Sequence, residues 1–550
     1  MPVAKLRPKT YGELLETVHV SAPENYNFAF DFLDAEAALD PTRPAMIHID
    51  PHGARRDFDL AYFSKESARM ANAFKYAGLQ KGDRVMVILY RRVEWWVTML
   101  ALHKLGAVPV PSPNLLTPHD IDFRVNYAGI KAIIAEDSVV SRVEAARSAC
   151  PTLKLLIHVG EAPMPDGWTD YETLRAGASD VFPRTCDSPG GNDTLLIFFS
   201  SGTTGMPKMV EHHHGYALGH LATGVYWHNL EPGDIHLTVA DTGWGKAVWG
   251  KFYGQWMAGA TIFVWDFRGK FVPSELLDVM STHKVTTFCA PPTVYRFLIR
   301  EDLSKYDLSS LRYCTTAGEL LNHSVFTTWK ELTGLAIHEG YGQTETCLQI
   351  ATFPCMTPKP GSIGRPAPGW NVTVLDETGK PCPPGVEGEI CLKLEEDKNL
   401  GLFSGYLLEP EKTAGVMVDG YYHTGDKAWV DEDGYYWFLG RTDDLIKSSG
   451  YRIGPFEVES ALILHKAVVE AAVTGVPDPV RGQAVKATIV LAPGYEPSDE
   501  LVKELQNHVK KETAPYKYPR IVDFVDELPK TISGKIKRAE IRARDASREI

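Results

Sequence analysis

The stretch from residue 200 to residue 208, SSGTTGMPK, holds glycines, hydroxyl side chains and a lysine that could together bind phosphate. It follows the strand-like run Thr194–Phe199, so its glycines lie where the chain leaves the edge of a sheet. Backbone N–H groups in such a turn can face phosphate oxygens, and hydroxyls and an ammonium group add further donors. The stretch is not a Walker A loop, because Lys208 follows a proline and no Gly-Lys-Ser/Thr completes the pattern. A phosphate-binding turn and an ordinary flexible surface loop are therefore the two interpretations.

Five later stretches also combine glycines with charged or hydroxyl side chains, and they follow one another from residue 317 to residue 535. They are Ala317–Glu319, Tyr341–Glu345, Tyr422–Asp426, Gly440–Lys447 and Pro529–Lys535. In content and order, the six stretches resemble the signature motifs of the adenylate-forming superfamily, which includes acyl-CoA synthetases, firefly luciferase and nonribosomal-peptide adenylation domains. Nearly the whole chain is similar to the medium-chain acyl-CoA synthetase branch of that superfamily.

The resemblance implies an AMP-forming acid–thiol ligase. Such an enzyme joins a carboxylic acid to AMP with release of pyrophosphate, then transfers the acyl group to coenzyme A with release of AMP. It uses Mg²⁺ as cofactor and ATP and coenzyme A as co-substrates. The alternatives are a stand-alone adenylation enzyme that loads a carrier protein and, from another class, a nucleotide-binding sensor without catalysis. Pyrophosphate release that depends on the acid would separate an enzyme from a sensor.

The resemblance also implies a nucleotide site. Asp426 would accept hydrogen bonds from both ribose hydroxyls, Arg441 would make a second ribose contact, and Tyr341 would stack on the adenine. The residues implied to bind ATP or AMP are Ser200, Ser201, Gly202, Thr203, Thr204, Gly205, Lys208, Gly318, Glu319, Leu320, Glu339, Gly340, Tyr341, Gly342, Gln343, Thr344, Asp426, Arg441 and Lys535.

Three residues are implied to be catalytic: Lys535, Thr344 and Glu345. Glu345 would hold Mg²⁺ on the phosphates, and Thr344 would place its hydroxyl on the α-phosphate. Lys535 would bridge the substrate carboxylate and the α-phosphate as negative charge develops, which is worth about 3 to 4 kcal/mol. From the residues alone, a Thr-Glu helix cap and a solvated surface lysine are the alternative interpretations.

Coenzyme A would bind the C-terminal part of the chain after that part rotates about a hinge at Asp443. Gly450 suits a pantetheine tunnel, because a side chain there would obstruct it. Basic residues in this part fit a nucleotide polyphosphate, although solvated surface charge is the alternative. The residues implied to contact coenzyme A are Ser449, Gly450, Tyr451, Arg452, Arg481, Lys510 and Tyr518.

The acyl group is implied to occupy a pocket formed by Trp244, Gly245, Lys246, Trp249 and Gly318. Tryptophans there would shorten or narrow the cavity and favour short, medium-chain, branched or aromatic acids. Ordinary core packing is the alternative for Trp249, and Lys246 replaces the aliphatic residue usual in the animal branch. His212–His214 does not predict a metal site, because three adjacent histidines cannot easily face one ion.

The order of strand and helix signals predicts a multidomain α/β protein. A large N-terminal AMP-binding domain of αβ-layered subdomains would span residues 1–440, with a β-rich subdomain at about 361–440. A small, mobile α+β domain would span 441–550. The N-terminal strands are predicted at 84–90, 106–110, 131–136, 260–265, 285–289, 335–339, 371–375 and 388–394, with a helix at 93–105. The C-terminal elements are predicted at 458–464, 471–474, 484–491, 498–512 and 521–525.

Composition excludes several other classes. The net charge of -13 argues against a partner such as nucleic acid or an anionic membrane. The eight cysteines contain no CxxC pair, which fits a reduced compartment. No secretory h-region and no span long enough for a bilayer are evident. We expect a cytoplasmic enzyme that acts on small molecules. A homodimer is one possible assembly.

Overall fold

The computed structural model describes residues 7–200, 207–395, 399–442, 444–449, 451–530 and 536–548, apart from the side chains of Arg452, Ser547 and Arg548. In these residues the strands form five sheets, and helices cover the parallel sheets. The predicted α/β multidomain class is confirmed.

The largest sheet has nine strands, and its six central strands are parallel. Parallel strands are buried on both faces, and nearly every residue of these six strands is buried, including polar residues such as His236, Thr316 and Glu339. The antiparallel strands lie at the two edges. In spatial order the strands are Arg365–Pro366, Ile350–Ala351, Ile337–Tyr341, Tyr313–Ala317, Thr287–Cys289, Ile235–Thr238, Thr261–Trp265, Pro44–Ile49 and Arg55–Asp59.

A second sheet has five strands, all parallel. Its strands, in spatial order, are Val108–Pro111, Arg84–Ile88, Ala132–Glu136, Leu155–Val159 and Thr169–Asp170. The helix Val93–Leu105 has the bounds predicted from the sequence, and Gly106 ends it in the left-handed conformation with a φ of 79°. This helix is buried on nearly all sides, because it lies within the main hydrophobic core.

The helices alternate with the strands along the N-terminal part, as expected for βαβ units. Within the described residues, no helix is both long and apolar enough to cross a bilayer. The α-helices are Tyr11–Thr17, Ala35–Leu39, Leu60–Tyr76, Val93–Leu105, Pro118–Ala128, Asp137–Arg147, Tyr171–Ala176, Gly215–Leu221, Gly245–Lys251, Tyr253–Met257, Pro273–Thr282, Pro292–Leu298, His323–Thr333, Pro410–Val416, Pro455–Ile463, Asp499–Glu512 and Arg538–Arg548. Phe28–Asp34 and Ala222–Trp227 are π-helical, and Leu303–Lys305 and Pro515–Lys517 are 3₁₀-helical.

The predicted β-rich stretch at 361–440 forms an antiparallel sheet, with two exceptions. The sheet consists of Val372–Leu375, Gly388–Lys393, Tyr421–Val430, Met417–Val418 and Tyr436–Arg441. Arg365–Pro366 instead extends the nine-stranded sheet, and Gly405–Tyr406 pairs with Lys208–His213, which in turn pairs with Thr194–Ser200. These two-residue strands lie at the edges of neighbouring sheets. Their pairing depends on segments distant in sequence, so the local sequence does not predict it.

The C-terminal part has its own sheet and its own core. The strands, in spatial order, are Tyr451–Ile453, Ile446–Ser448, Gly482–Leu491 and Val468–Asp478, and Ile521–Phe524 runs parallel to Gly482–Leu491. Helices Pro455–Ile463 and Asp499–Glu512 contribute apolar residues to the same core. The α+β prediction is therefore confirmed for this part, whereas the exact domain boundaries stay predictions.

Candidate active site

Two neighbouring parallel strands bring two of the predicted motifs together. Tyr313–Ala317 and Ile337–Tyr341 are paired in parallel, with Ala317 opposite Gly340. Their carboxyl ends therefore point to the same edge of the sheet, where ligands of open α/β sheets bind. Gly318 follows one strand with a φ of 98°, and Gly342 follows the other. The sheet thus places the stretches 317–320 and 339–345 side by side.

Asp426 lies at the centre of a buried hydrogen-bond network. The Tyr341 hydroxyl and the Gln343 Nε2 each donate to Asp426 Oδ2 at 2.6 Å. The Tyr422 hydroxyl donates to Gln343 Oε1 at 2.8 Å, which fixes the orientation of the amide. Burial, together with the Asp426 carboxylate, raises the pKa of Tyr341 well above its usual value, so the phenol stays a neutral donor. Arg441 lies directly opposite Asp426 on the paired strand.

Tyr406 connects the phosphate-binding candidates to the metal candidate. Its hydroxyl donates to Glu345 Oε1 at 2.9 Å, and the Lys208 ammonium lies 4.6 Å from the centre of its ring. The Thr344 carbonyl contacts His212 Nε2 at 2.8 Å. Sequence reasoning missed Tyr406, because its only local signal is a Gly-Tyr pair that forms a two-residue strand.

The glycine-rich turn itself is described only at its two ends. Ser200 and Lys208 lie opposite each other as the last and first residues of paired antiparallel strands. The pairing brings both ends of the stretch to the edge where Tyr406 and Glu345 meet. The predicted residues Ser201, Gly202, Thr203, Thr204 and Gly205 lie outside the described residues.

The predicted adenine-slot residues fall into two groups. The Glu319 carboxylate accepts from the Thr293 hydroxyl at 2.8 Å and remains partly exposed, and Leu320 is also partly exposed. The Glu339 carboxyl group is buried instead and accepts from the Leu321 N–H at 3.1 Å. Burial raises the pKa of Glu339 to about 8, although the backbone donors of residues 321 and 361 oppose that shift. Glu339 therefore holds the backbone of the slot as a neutral acid near pH 7.

Tryptophans lie behind the glycines of the 340–342 segment. A Cβ on Gly340 would come within 2.5 Å of Trp227, and one on Gly342 within 2.3 Å of Trp249. Only glycine fits at these positions, because the indole rings occupy the space of a side chain. Sequence reasoning included Trp249 and missed Trp227, which is distant in sequence and lies in a π-helix.

The other acyl-pocket candidates lie at the start of the helix Gly245–Lys251. Trp244 is its N-cap residue. The Lys246 ammonium donates to the Ala317 carbonyl at 2.6 Å, and a Cβ on Gly318 would lie 4.0 Å from the same nitrogen. The structure therefore brings Lys246 next to Gly318, as the pocket prediction requires.

The three adjacent histidines are separated by strand geometry. His212 and His213 end the strand Lys208–His213, so their side chains point to opposite faces. Burial lowers the pKa of His212 to about 3 and that of His214 to about 4, so both are neutral near pH 7. His212 supports the Thr344 backbone rather than presenting a metal ligand with its neighbours.

The predicted coenzyme A residues converge at one end of the C-terminal sheet. The Ser449 N–H donates to the Arg481 carbonyl at 2.9 Å, and Ser449 itself has a left-handed φ of 52°. Tyr451 stacks on Tyr516 with ring centres 4.0 Å apart. The Lys510 ammonium lies 4.1 Å from the centre of the Tyr518 ring. Tyr516 belongs to the 3₁₀ helix Pro515–Lys517, and Tyr518 is the C-cap residue of that helix. Gly450 and the side chain of Arg452 lie outside the described residues.

Residues on both sides of the predicted catalytic lysine lie at the other end of that sheet. Lys530 pairs with Ile536, and its ammonium binds Glu470 at 2.5 Å. Glu470 is near the start of the strand Val468–Asp478, whereas Asp478, at its end, binds Arg481. Eight residues of strand span roughly 26 Å. Lys535 and the hinge residue Asp443 lie outside the described residues.

Comparisons with known proteins show the family of the chain. The family described as "AMP-binding enzyme" matches residues 33–407, and "AMP-binding enzyme C-terminal domain" matches residues 457–535. The chain is 42% identical over 544 residues to the mitochondrial acyl-coenzyme A synthetase ACSM3 of Mus musculus, covering 97% of this chain and 93% of that protein. It is 43% identical over 532 residues to the mitochondrial ACSM5 of Homo sapiens, covering 95% of this chain and 91% of that protein.

Solved structures are similar over nearly the whole chain. An anthranilate CoA ligase, AuaEII, solved with anthranoyl-AMP, has a TM-score of 0.87 and 32% identity, covering 96% of this chain and 99% of that one. A benzoate CoA ligase from Burkholderia xenovorans has a TM-score of 0.80 and 26% identity, covering 94% of this chain and all of that one, at 100%.

The predicted cytoplasmic location is wrong by these comparisons. The relatives are named as mitochondrial proteins, which points to that organelle instead. A secretory signal contains an apolar segment, whereas mitochondrial import depends on an amphipathic segment rich in arginine and serine. The absence of the first feature therefore said nothing about the second.

Proposed function

This chain belongs to the AMP-binding enzyme family and is an adenylate-forming acyl-CoA synthetase, and we propose that it activates a short, medium-chain, branched or aromatic carboxylic acid. The acid would react with ATP to give acyl-AMP and pyrophosphate. Coenzyme A would then take the acyl group and release AMP. The observation that carries the proposal is the buried network in which Tyr341 and Gln343 orient the Asp426 carboxylate at the carboxyl ends of parallel strands.

The Asp426 network gives the ribose a preformed partner. A carboxylate held by two donors keeps its remaining lone pairs in fixed directions, so two neighbouring hydroxyls can bind without reorganisation. Arg441, opposite Asp426, would add a second contact from the paired strand. The aromatic ring of Tyr341 and the backbone near Gly318 would enclose the base.

Mg²⁺ is part of the proposal, with Glu345 as its protein ligand. A carboxylate oxygen suits this hard cation, which prefers few protein ligands and the oxygens of substrate phosphates. Tyr406 donates to Glu345 Oε1 and so sets the direction of the carboxylate. When bound, the ion would neutralise phosphate charge while Lys208 contributes from the neighbouring strand.

Lys535 would supply the positive charge for adenylate formation, and the coenzyme A residues would act in the second step. The separation of roughly 26 Å along the strand Val468–Asp478 supports two uses of one mobile domain. We place the domains at 1–440, with the β-rich subdomain at about 361–440, and at 441–550, with the hinge at Asp443. A hinge of few residues can absorb such a rotation.

The acid is proposed to be short or compact because Trp227 and Trp249 close the space behind Gly340 and Gly342. Two similar structures are named as anthranilate and benzoate CoA ligases, which supports aromatic acids as one class. Lys246 would lie at the side of the pocket near Gly318.

The test is a panel of straight-chain C2 to C10, branched and aromatic acids, with ATP, Mg²⁺ and coenzyme A. Pyrophosphate release and thioester should both depend on the acid and should be greatest for compact acids. Pyrophosphate release without thioester would favour the carrier-loading alternative, and neither product with any acid would favour the sensor. Sizing the same preparation would test the homodimer, which stays a prediction.

A further inference from the structure

Glu389, Cys391 and His423 bring a carboxylate, a thiol and an imidazole to one point on the β-rich sheet. Within the described part of the chain, this is the one group of three such side chains whose ligating atoms all lie within 4.8 Å of one another. His423 Nδ1 lies 3.1 Å from Glu389 Oε2 and 3.5 Å from Cys391 Sγ. None of the three belongs to the proposed substrate or catalytic residues.

Strand pairing explains why the three side chains meet. Glu389 and Cys391 are two residues apart on the strand Gly388–Lys393, and the pairing with Tyr421–Val430 shifts its register between them. His423 lies directly opposite Cys391 on the strand Tyr421–Val430. Asp426 is buried in the nucleotide-site network, whereas His423 is 28% exposed. The cluster is therefore separate from the Mg²⁺ position at Glu345.

Two of the three ligand separations are close to those of a tetrahedral metal site, and the third, between Glu389 and Cys391, lies within 4.8 Å. Zinc–nitrogen, zinc–oxygen and zinc–sulfur bonds at tetrahedral angles give ligand separations of about 3.4 Å for N–O and about 3.6 Å for N–S. The two contacts of His423 Nδ1 are within a few tenths of an ångström of these values. Cys391 is buried, whereas Glu389 and His423 are 27% and 28% exposed, so the cluster opens to solvent on one side.

A cation also resolves a hydrogen-bonding conflict at the imidazole. Nδ1 carries at most one hydrogen, yet it faces both the carboxylate oxygen and the sulfur. Glu389 Oε1 separately accepts from the Gly425 N–H at 2.8 Å, which leaves Oε2 directed at the imidazole. A metal ion could thus bind Oε2 without breaking the contact to residue 425.

We propose that Glu389, Cys391 and His423 form a binding site for a borderline divalent cation of the Zn²⁺ class, with solvent as the fourth ligand. Mixed O, N and S donors in this number are typical of zinc and cobalt rather than of Mg²⁺. Binding releases the thiol proton to solvent as the metal–sulfur bond forms. The ion joins the two strands at His423, three residues before Asp426 on the strand Tyr421–Val430.

Cobalt provides a direct spectroscopic test on the full-length chain. Titration with CoCl₂ should give a thiolate-to-cobalt absorption band that saturates at one equivalent of Co²⁺. Addition of ZnCl₂ should displace the cobalt and remove the band. Cys391→Ser should abolish the band, and His423→Asn should weaken Co²⁺ binding more than the ~10-fold to ~100-fold loss typical when only a ligand's hydrogen-bond partner is removed. Cys382→Ser, at a partly buried cysteine outside the cluster, is the matched control and should keep the band.

A wild-type chain without the band would overturn the site and leave a carboxylate–imidazole hydrogen bond in its place. The band surviving in Cys391→Ser would do the same, because another cysteine would then be the ligand. If Cys391→Ser fails to fold, as judged by circular dichroism, the partly exposed His423→Asn decides the matter: unchanged Co²⁺ affinity in that variant rejects the proposal.

Discussion

The nucleotide site and the C-terminal part differ in how their candidate residues are held. Around Asp426, the candidate side chains contact one another directly, at 2.6 to 2.8 Å. In the C-terminal part, Arg481 binds Asp478 at the end of the strand Val468–Asp478, whereas Lys530, a neighbour in sequence of the proposed Lys535, binds Glu470 near its start. The first arrangement is ready to bind, because its hydrogen bonds exist before any ligand arrives. The second can serve one active site only if the domain presents its two ends in turn.

This difference has an energetic reason. Fixed dipoles around a binding site stabilise charge without reorganising at the moment of reaction. Two different sets of groups cannot occupy one place at the same time, so at least one of them must be brought in. Under the proposed function, a mobile domain would carry a cation for one step and an open tunnel for the next, while the large part stays unchanged.

The largest effect is expected from Lys535→Ala. Loss of the ammonium group should slow acid-dependent pyrophosphate release by about 100-fold to 1000-fold. The same variant should convert supplied acyl-AMP and coenzyme A to thioester at the parent rate, because other residues of the domain are proposed to serve that step. Stopped-flow or quench assays of each half-reaction measure both rates.

Lys530→Ala is the control for that experiment. Lys530 lies in the same segment and binds Glu470, so this variant also loses one positive charge. Its adenylation rate should stay within a few-fold of the parent, since exposed ion pairs contribute only about 0.2 to 1 kcal/mol. Equal losses in the two lysine variants would contradict a special role of Lys535 in adenylate formation.

A smaller effect is expected from Asp426→Asn, which tests whether the preformed Asp426 network binds the ribose. The amide keeps the shape but loses the charge that strengthens hydrogen bonds to hydroxyls, a loss of about 1.5 to 3 kcal/mol. The KM for ATP should therefore rise about 10-fold to 100-fold. Asp419→Asn, at an exposed position with a φ of 50°, should leave it unchanged. An unaltered KM in Asp426→Asn would mean that the ribose binds elsewhere.

The coenzyme A end should respond more weakly still. Arg481→Gln and Lys510→Gln each remove one partly exposed charge, so the KM for coenzyme A should rise by about 2-fold to 5-fold in each. Adenylate formation should not change, because Lys535 and not these residues is proposed to serve that step. Lys503→Gln, an exposed residue of the same helix as Lys510, is the matched control. A rise in the KM for ATP instead would contradict the assignment of these residues.

A separate effect, on stability rather than on activity, concerns the dependence of stability on pH. The pKa of Glu339 is raised from 4.5 to about 8, so the folded chain holds a proton that the unfolded chain releases in that range. Stability should fall as pH rises through this window, by up to about 1.4 kcal/mol per pH unit. In Glu339→Gln, thermal melts between about pH 5 and about pH 8 should show a smaller decrease in Tm than the parent. The exposed Glu331→Gln should behave like the parent, and an identical slope in both variants would contradict the buried neutral acid.

Much of the fold could be predicted because its periodic signals are local. The helix Val93–Leu105 and the buried strands around Arg84–Ile88 have apolar runs and glycine stops that specify them without distant partners. Tyr406 and Trp227 could not be predicted in the same way. Each acts through a residue distant in sequence, Glu345 for the tyrosine and Gly340 for the tryptophan.

The sequence by itself determined the order of the motifs, the residue types that can bind phosphate and ribose, and the α/β alternation of strands and helices. Two arrangements depend on the folded chain: Asp426 meets Tyr341 and Gln343, and the side chains of Glu389, Cys391 and His423 meet between two paired strands. The physical reason is that backbone propensity acts over a few residues, whereas strand register sets which side chains face each other. Register depends on pairing between distant segments. The individual site residues could therefore be predicted from the sequence, whereas their contacts with one another could not.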